Sequence, residues 1–278
     1  MKRYRILGFD FDARVHQLTT QIEDQWDESV KQLWRDNRAK TERALVSQFG
    51  EYAADQKRRN FIDLGPKLPS VLAFHNRFLQ QIRVAFVMDA YYPALTAACS
   101  LGERILNHLI LTLRDDFKNT PEYKRVRSKG SFDDWKVPID TLAAWSVLLP
   151  EVVTDFRQLL KCRHDAIHFR PEVDTNDRAL ALVAIRSLGS ILEKQFGAMG
   201  TQPWFLTDVA GEFYIKKAWE NRPFIQRIYL PTCRKVGPRH EVASMAVVPW
   251  TVRDDYDYEE REITDEEFCA LRRGALGY

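Results

Sequence analysis

The sequence predicts a mainly α-helical protein: a helical bundle, preceded by a long N-terminal helical segment and followed by a small strand-containing C-terminal extension. Three observations carry this expectation. Apolar residues recur at three- and four-residue spacing over most of the chain before Gly197. No glycine or proline interrupts the stretch between Gly8 and Gly50. After Gly197 the pattern changes to short β-branched and aromatic runs separated by Asn221-Arg-Pro and Gly237-Pro.

The elements follow in order. Leu18, Ile22, Trp26, Val30, Leu33, Trp34, Leu45, Phe49 and Tyr52 form a helical stripe that thins between Asn37 and Lys40, as one long helix or two shorter ones would. Such a stripe either packs on the main domain or forms a partner surface. Gly65-Pro66 and Pro69 break the chain, so residues 1–64 read as an N-terminal helical extension. The bundle, residues 65–197, begins with a helix from about Ser70 to Tyr91. A second runs from Pro93, a favoured first-turn residue, to Phe117. Asn119 to Pro138 reads as a loop and Ile139 to Leu149 as a short helix. Pro150 opens a further helix that ends near His168, because Pro171 disfavours helix at Arg170. Thr175-Asn176-Asp177 caps the last bundle helix. In residues 198–278, strands are expected at Glu212–Trp219, Phe224–Leu230 and Val242–Trp250. Thr264-Asp-Glu-Glu-Phe starts a final short helix with a capping box.

The 278 residues suit one large or two small domains, and an apolar content of 45% supplies a sizeable core. The net charge of +2 advertises no global basic field, so any nucleic-acid surface must be a local patch. No run approaches the roughly 20 apolar residues of a membrane span. The opening residues lack the apolar core of a signal peptide. A cytoplasmic protein with no membrane partner is expected. Cys99, Cys162, Cys233 and Cys269 are scattered, which fits reduced structural thiols.

The chemistry concentrates in the Pro150 helix. Val152, Phe156, Leu159, Leu160 and Ile167 fall on one face, and Arg163 falls inside that face. A guanidinium keeps its proton, so burying one demands a partner. Glu103, on the preceding long helix with Asn107 and Arg114 along one flank, is the natural partner. The pair reads either as a structural brace or as part of a site. On an ideal helix Arg163 and His168 diverge by roughly 140°, whereas His164 sits one turn before His168. Cys162, His164 and His168 can also be read as metal ligands, but Asp165 stands where a zinc peptidase places the glutamate that serves as its base. His75 and His108 read as ordinary surface or flank residues. Lys118, Lys124, Arg125, Arg127 and Lys129 crowd one loop with Tyr123 and Phe132 nearby. They form either a solvated loop or a surface that tracks a phosphate backbone and stacks bases.

The string Arg163-His164-Asp165-Ala166-Ile167-His168 resembles the arginine–four-residues–histidine signature of the HEPN superfamily of small helical proteins. The Pro93 helix, with Glu103 and Asn107 one turn apart, resembles that family's companion helix, and the likeness extends over about residues 68 to 197. It implies a metal-independent endoribonuclease acting as a homodimer. RNA would be its substrate, and its products would carry 2′,3′-cyclic phosphate and 5′-hydroxyl ends. The implied catalytic set is Arg163, His168, His164, Glu103 and Asn107, with no cofactor, and the motif lies in a cleft shared by two copies. A role as a toxin or antiviral effector, restrained by an antitoxin or regulatory protein, follows from the same resemblance. The family also holds catalytically silent modules that bind a partner protein, a nucleotide or RNA.

Overall fold

A computed structural model describes residues 1–71, 73–167, 173–245 and 249–277, except the side chains of residues 167 and 173–175. The chain is mainly helical, with small two-stranded sheets. In chain order the elements are β1 (Arg3–Ile6), β2 (Phe9–Asp12), α1 (Arg14–Thr19), α2 (Glu28–Phe49), α3 (Ala54–Asp63), β3 (Lys67–Val71), α4 (Phe74–Val87) and α5 (Tyr91–Leu113). They continue with α6 (Tyr123–Val126), α7 (Lys136–Ala144), α8 (Pro150–Ile167), α9 (Val173–Phe196), β4 (Cys233–Val236), β5 (Glu241–Ser244), β6 (Thr251–Arg253) and α10 (Asp265–Leu276).

Helix α5 is the axis of the bundle. Eleven of its residues are buried, from Ala94 through Ile105 and Leu109 to Leu113, and it packs against α4, α8 and α9. Small residues let the neighbours close in. A Cβ at Gly102 would lie 2.6 Å from Leu159 Cδ2 and 2.9 Å from the Trp135 ring, so only glycine admits α8 and the start of α7 at this distance. Val152, Phe156 and Leu159 of α8 are fully buried on that contact.

The antiparallel pairs are β1–β4, β2–β3 and β5–β6. The N-terminal strands were not legible as strands. β1 is held by β4 and by an isolated bridge from Arg5 to Tyr214. A second, smaller core of Leu7, Val209, Tyr214, Val236, Val252, Ile263 and Phe268 forms there. The stripe before Gly50 is interrupted after α1, and α2 carries the longer part of it.

Several expectations need correction. Ser70 belongs to β3, not to the following helix, which starts at Phe74. The expected strand at Phe224–Leu230 is a π-helical turn over Ile225–Tyr229. Its aromatic residues Phe224 and Tyr229 pack edge-on around Trp204, which fixes the turn by ring packing rather than by a ladder. Glu212–Trp219 contributes only isolated bridges at Tyr214 and Ile215, then a tight turn at Lys217–Trp219. Of the third expected strand only Val242–Ser244 is strand, within β5; residues 246–248 lie outside the described ones and Pro249 and Trp250 are not strand. The final helix starts as expected, with the Glu267 amide donating to Thr264 Oγ1 at 3.1 Å.

Candidate functional site

Helices α5 and α8 and the start of α7 bring Glu103, Arg163 and Trp135 together. The Arg163 guanidinium lies 3.3 Å from Glu103 Oε2, and Trp135 Nε1 donates to the same oxygen at 2.9 Å. The guanidinium also sits 5.7 Å from the centre of the Trp135 ring, at cation–π distance. Trp135 is buried, so its indole orients the carboxylate from below while Arg163 reaches it from the side. The Arg163 side chain is 24% exposed and that of Glu103 31%. Arg163 therefore stands at the edge of the apolar stripe rather than inside it. Its alkyl stem covers the packed face while its head remains wet.

One turn further along α5, Asn107 is committed at both ends of its amide. Its Nδ2 donates to the Glu103 carbonyl at 2.9 Å, and its Oδ1 accepts from the Phe132 amide at 2.7 Å. Arg114 Nη1 donates to the carbonyls of Val126 and Lys129. The flank of Glu103, Asn107 and Arg114 thus fastens the 126–135 segment to α5. Asn107 holds backbone there, and the sequence carried no signal for that role.

His164, next to Arg163, is exposed. His168 lies outside the described residues. Lys118, Lys124, Arg125, Arg127 and Lys129 are all exposed. Lys118 lies 3.6 Å from Asp115, and Lys129 Nζ lies 5.9 Å from the centre of the Phe132 ring. Phe132 is 3% exposed and cannot offer its face to a base, contrary to the expectation of aromatic stacking there. Lys57 is buried and donates to the Phe49 carbonyl at the end of α2.

Among the described residues no group of three His, Cys, Asp or Glu is gathered as a metal site would be. Cys162 is buried with Cys99, and burial raises both thiols, that of Cys99 to about 12. His75 also departs from the expectation of a surface or flank residue. It is 1% exposed, not on the surface, and packs at a tilt against Phe196 with ring centres 4.7 Å apart. Burial drives its pKa down to about 3.

Sequence reasoning missed a second polar constellation. Glu212 accepts from Arg272 through both oxygens at 2.7 Å and pairs with Arg5 at 2.9 Å, and the Tyr214 hydroxyl also donates to it. His240 Nε2 meets Arg5, and its Nδ1 meets the Gly237 carbonyl at 2.7 Å. Arg272 Nη1 donates to the carbonyls of Pro238 and His240. Despite the cost of burying the carboxylate, these donors hold Glu212 down at about 2, while burial lowers His240 to about 4. Four of the five N–H donors of Arg272 are used internally, so this cluster is a clasp between β1 and α10.

No helix among the described residues is long and apolar enough to cross a membrane. Compared with protein-family models, curated proteins and solved structures, the chain matches none.

Proposed function

We propose that this protein is a metal-independent endoribonuclease of the HEPN type. The observation that carries the reading is the Arg163 guanidinium: it is fixed by Glu103 and Trp135, remains open to solvent, and has exposed His164 beside it. A cation so placed can take a phosphate in bidentate fashion and stabilise the charge that builds on it. In the reaction, the 2′-hydroxyl oxygen bonds to phosphorus as its proton passes to a base. The P–O5′ bond then breaks, and the 5′-oxygen takes a proton from an acid. Histidine performs either proton step near neutral pH, and His164 and His168 are the proposed pair. The exposed cations from Lys118 to Lys129 would guide the strand. Two copies would share one cleft, under the control of a partner protein in a toxin or defence setting.

Incubating the protein with total RNA in chelator, beside Arg163→Ala and His168→Ala, tests the reading. Wild-type cleavage leaving 2′,3′-cyclic phosphate ends, absent from both variants, is the expected result. Cleavage that stops in chelator and returns with a divalent metal would overturn it. Partial recovery on mixing the two inactive variants is expected if each cleft draws on both chains.

One observation favours the silent-module alternative. Glu103 Oε2 serves both Trp135 and Arg163, as the centre of a purely structural brace would. An intact, folded protein that binds RNA or a protein partner in the same assay without cutting RNA would select that alternative.

A further inference from the structure

Between the end of α3, strand β3, α4 and α9 lies a cavity of about 240 Å³ that the RNA reading does not use. Lys67, Arg83 and Arg186 line it against one acid, Glu193, and Leu64, Leu79, Ile185 and Leu192 supply apolar wall. Arg83 is 6% exposed. Its Nη2 donates at 2.6 Å to the carbonyl of Gly65, itself a wall of the cavity. Among the described residues no carboxylate pairs with this guanidinium. Asp12 is bonded to Arg14 at 2.8 Å and Asp10 to Lys67 at 2.6 Å. Asp12 and Arg14 act on Arg83 at longer range with opposite signs, and burial lowers it to about 10.

Arg83 and Arg186 do have structural work. Arg186 donates to the Asp63 carbonyl at 3.1 and 2.5 Å, so both guanidinia serve the carbonyl end of α3. That consumes only part of each fork. A guanidinium has five N–H donors, and the rest of those on Arg83 have no partner among the described residues.

Gly189 adds an independent observation. It sits inside α9, where glycine is less stable than alanine, and it lines the cavity. A Cβ there would meet nothing within 4 Å. No packing constraint calls for glycine; its effect is to leave the space clear.

We propose that this cavity binds a small carboxylate with a short apolar body. The carboxylate lies in the fork of Arg83 with Arg186 at the rim, and the hydrocarbon lies over Leu79, Ile185 and Leu192. Such a pair satisfies a buried cation with the planar, two-oxygen partner it matches best. At ~30 Å³ for each small occupant atom the volume holds roughly eight non-hydrogen atoms, the size of hexanoate. Glu193, exposed at the mouth, opposes a second negative charge and so disfavours a phosphate dianion.

Calorimetric titration of the full chain with hexanoate, hexanol and inorganic phosphate at constant ionic strength tests this. Saturable binding of hexanoate is expected, with hexanol and phosphate weaker by about tenfold or more. Two variants are compared after their helical content is checked. Gly189→Leu fills the space without touching a charge, and Arg83→Lys keeps the charge but loses the fork. Both should weaken hexanoate by about tenfold or more. Absence of saturable hexanoate binding, equal affinity for phosphate, or unchanged affinity in Gly189→Leu would overturn the proposal. None of these outcomes depends on whether the protein cuts RNA.

Discussion

The Arg163–Glu103 pair and the Arg5–Glu212–Arg272 cluster use the same chemical groups to different ends. In the C-terminal cluster the arginine and glutamate side chains are 5–11% exposed and one carboxylate receives two guanidinia and a phenol. Around α8 one carboxylate oxygen receives one guanidinium and one indole, and a quarter to a third of each charged side chain faces water. With four of the five Arg272 donors spent inside the protein, the first is a clasp. Among the described residues Glu103 is the carboxylate that Arg163 meets, and under the proposed function the rest of its fork serves a ligand. What separates a brace from a site is the number of hydrogen-bonding groups left over, not the presence of an ion pair.

Four measurements break or sharpen this contrast. Arg272→Ala removes one side of the clasp and leaves Glu212 with Arg5 and the Tyr214 hydroxyl. Denaturant unfolding should show a loss of about 3–5 kcal/mol. A loss under about 1 kcal/mol would put the cluster in the exposed class.

Acid should act on the same region. His240 stays neutral in the fold down to about 4, whereas in the unfolded chain it takes a proton at its ordinary value near 6.5. The unfolded state then binds more protons, so stability declines as pH falls from 6.5 to 4 and this contribution levels off below. At ~1.4 kcal/mol per pH unit the decline is about 3 kcal/mol, and replacing His240 with Gln should flatten it. His75, depressed to about 3, adds a decline of the same sign that persists in that variant.

Gly102→Ala tests the approach of α5 to α8. The new methyl meets Leu159 and Trp135, both fully packed, so a cost of about 1–3 kcal/mol is expected, together with reduced RNA cleavage as Glu103 and Arg163 are pushed apart. Wild-type stability in this variant would mean that the two side chains yield freely.

The smallest stability effect belongs to Arg163→Ala. A fully buried arginine would cost several kcal/mol on removal. At 24% exposure the expected loss is about 1 kcal/mol or less, while RNA cleavage should fall by roughly 10²- to 10³-fold. A stability loss as large as that of Arg272→Ala would return Arg163 to the structural class.

The helices were legible because their faces repeat with helical spacing and their starts carry proline or capping residues, as at Pro93 and Pro150 in the bundle and Thr264 before α10. The partnership of Arg163 with Glu103 was legible from charge on facing stripes. Its exposure was not, because a stripe edge and a stripe centre differ by only one residue's rotation. Trp135 escaped notice because its role depends on Gly102, whose effect is steric and long-range. The clasp was hidden for a similar reason: Arg5, Glu212, His240 and Arg272 come from remote segments, and nothing local marks them. Around Tyr229 the apolar run suited strand and helix equally, and packing against Trp204 decided it.

The pairing of β1 with β4 joins segments almost the whole length of the chain apart. During synthesis Arg3–Ile6 leave the ribosome long before Cys233–Val236 exist. The α4–α5–α8–α9 bundle can assemble while β1 waits without its ladder partner and Arg5 without Glu212. The sequence separation favours local helices first and clasp last, with the small C-terminal core formed late. An unpaired strand edge persists through most of translation, and that interval is when the nascent chain is most open to pairing with the wrong neighbour.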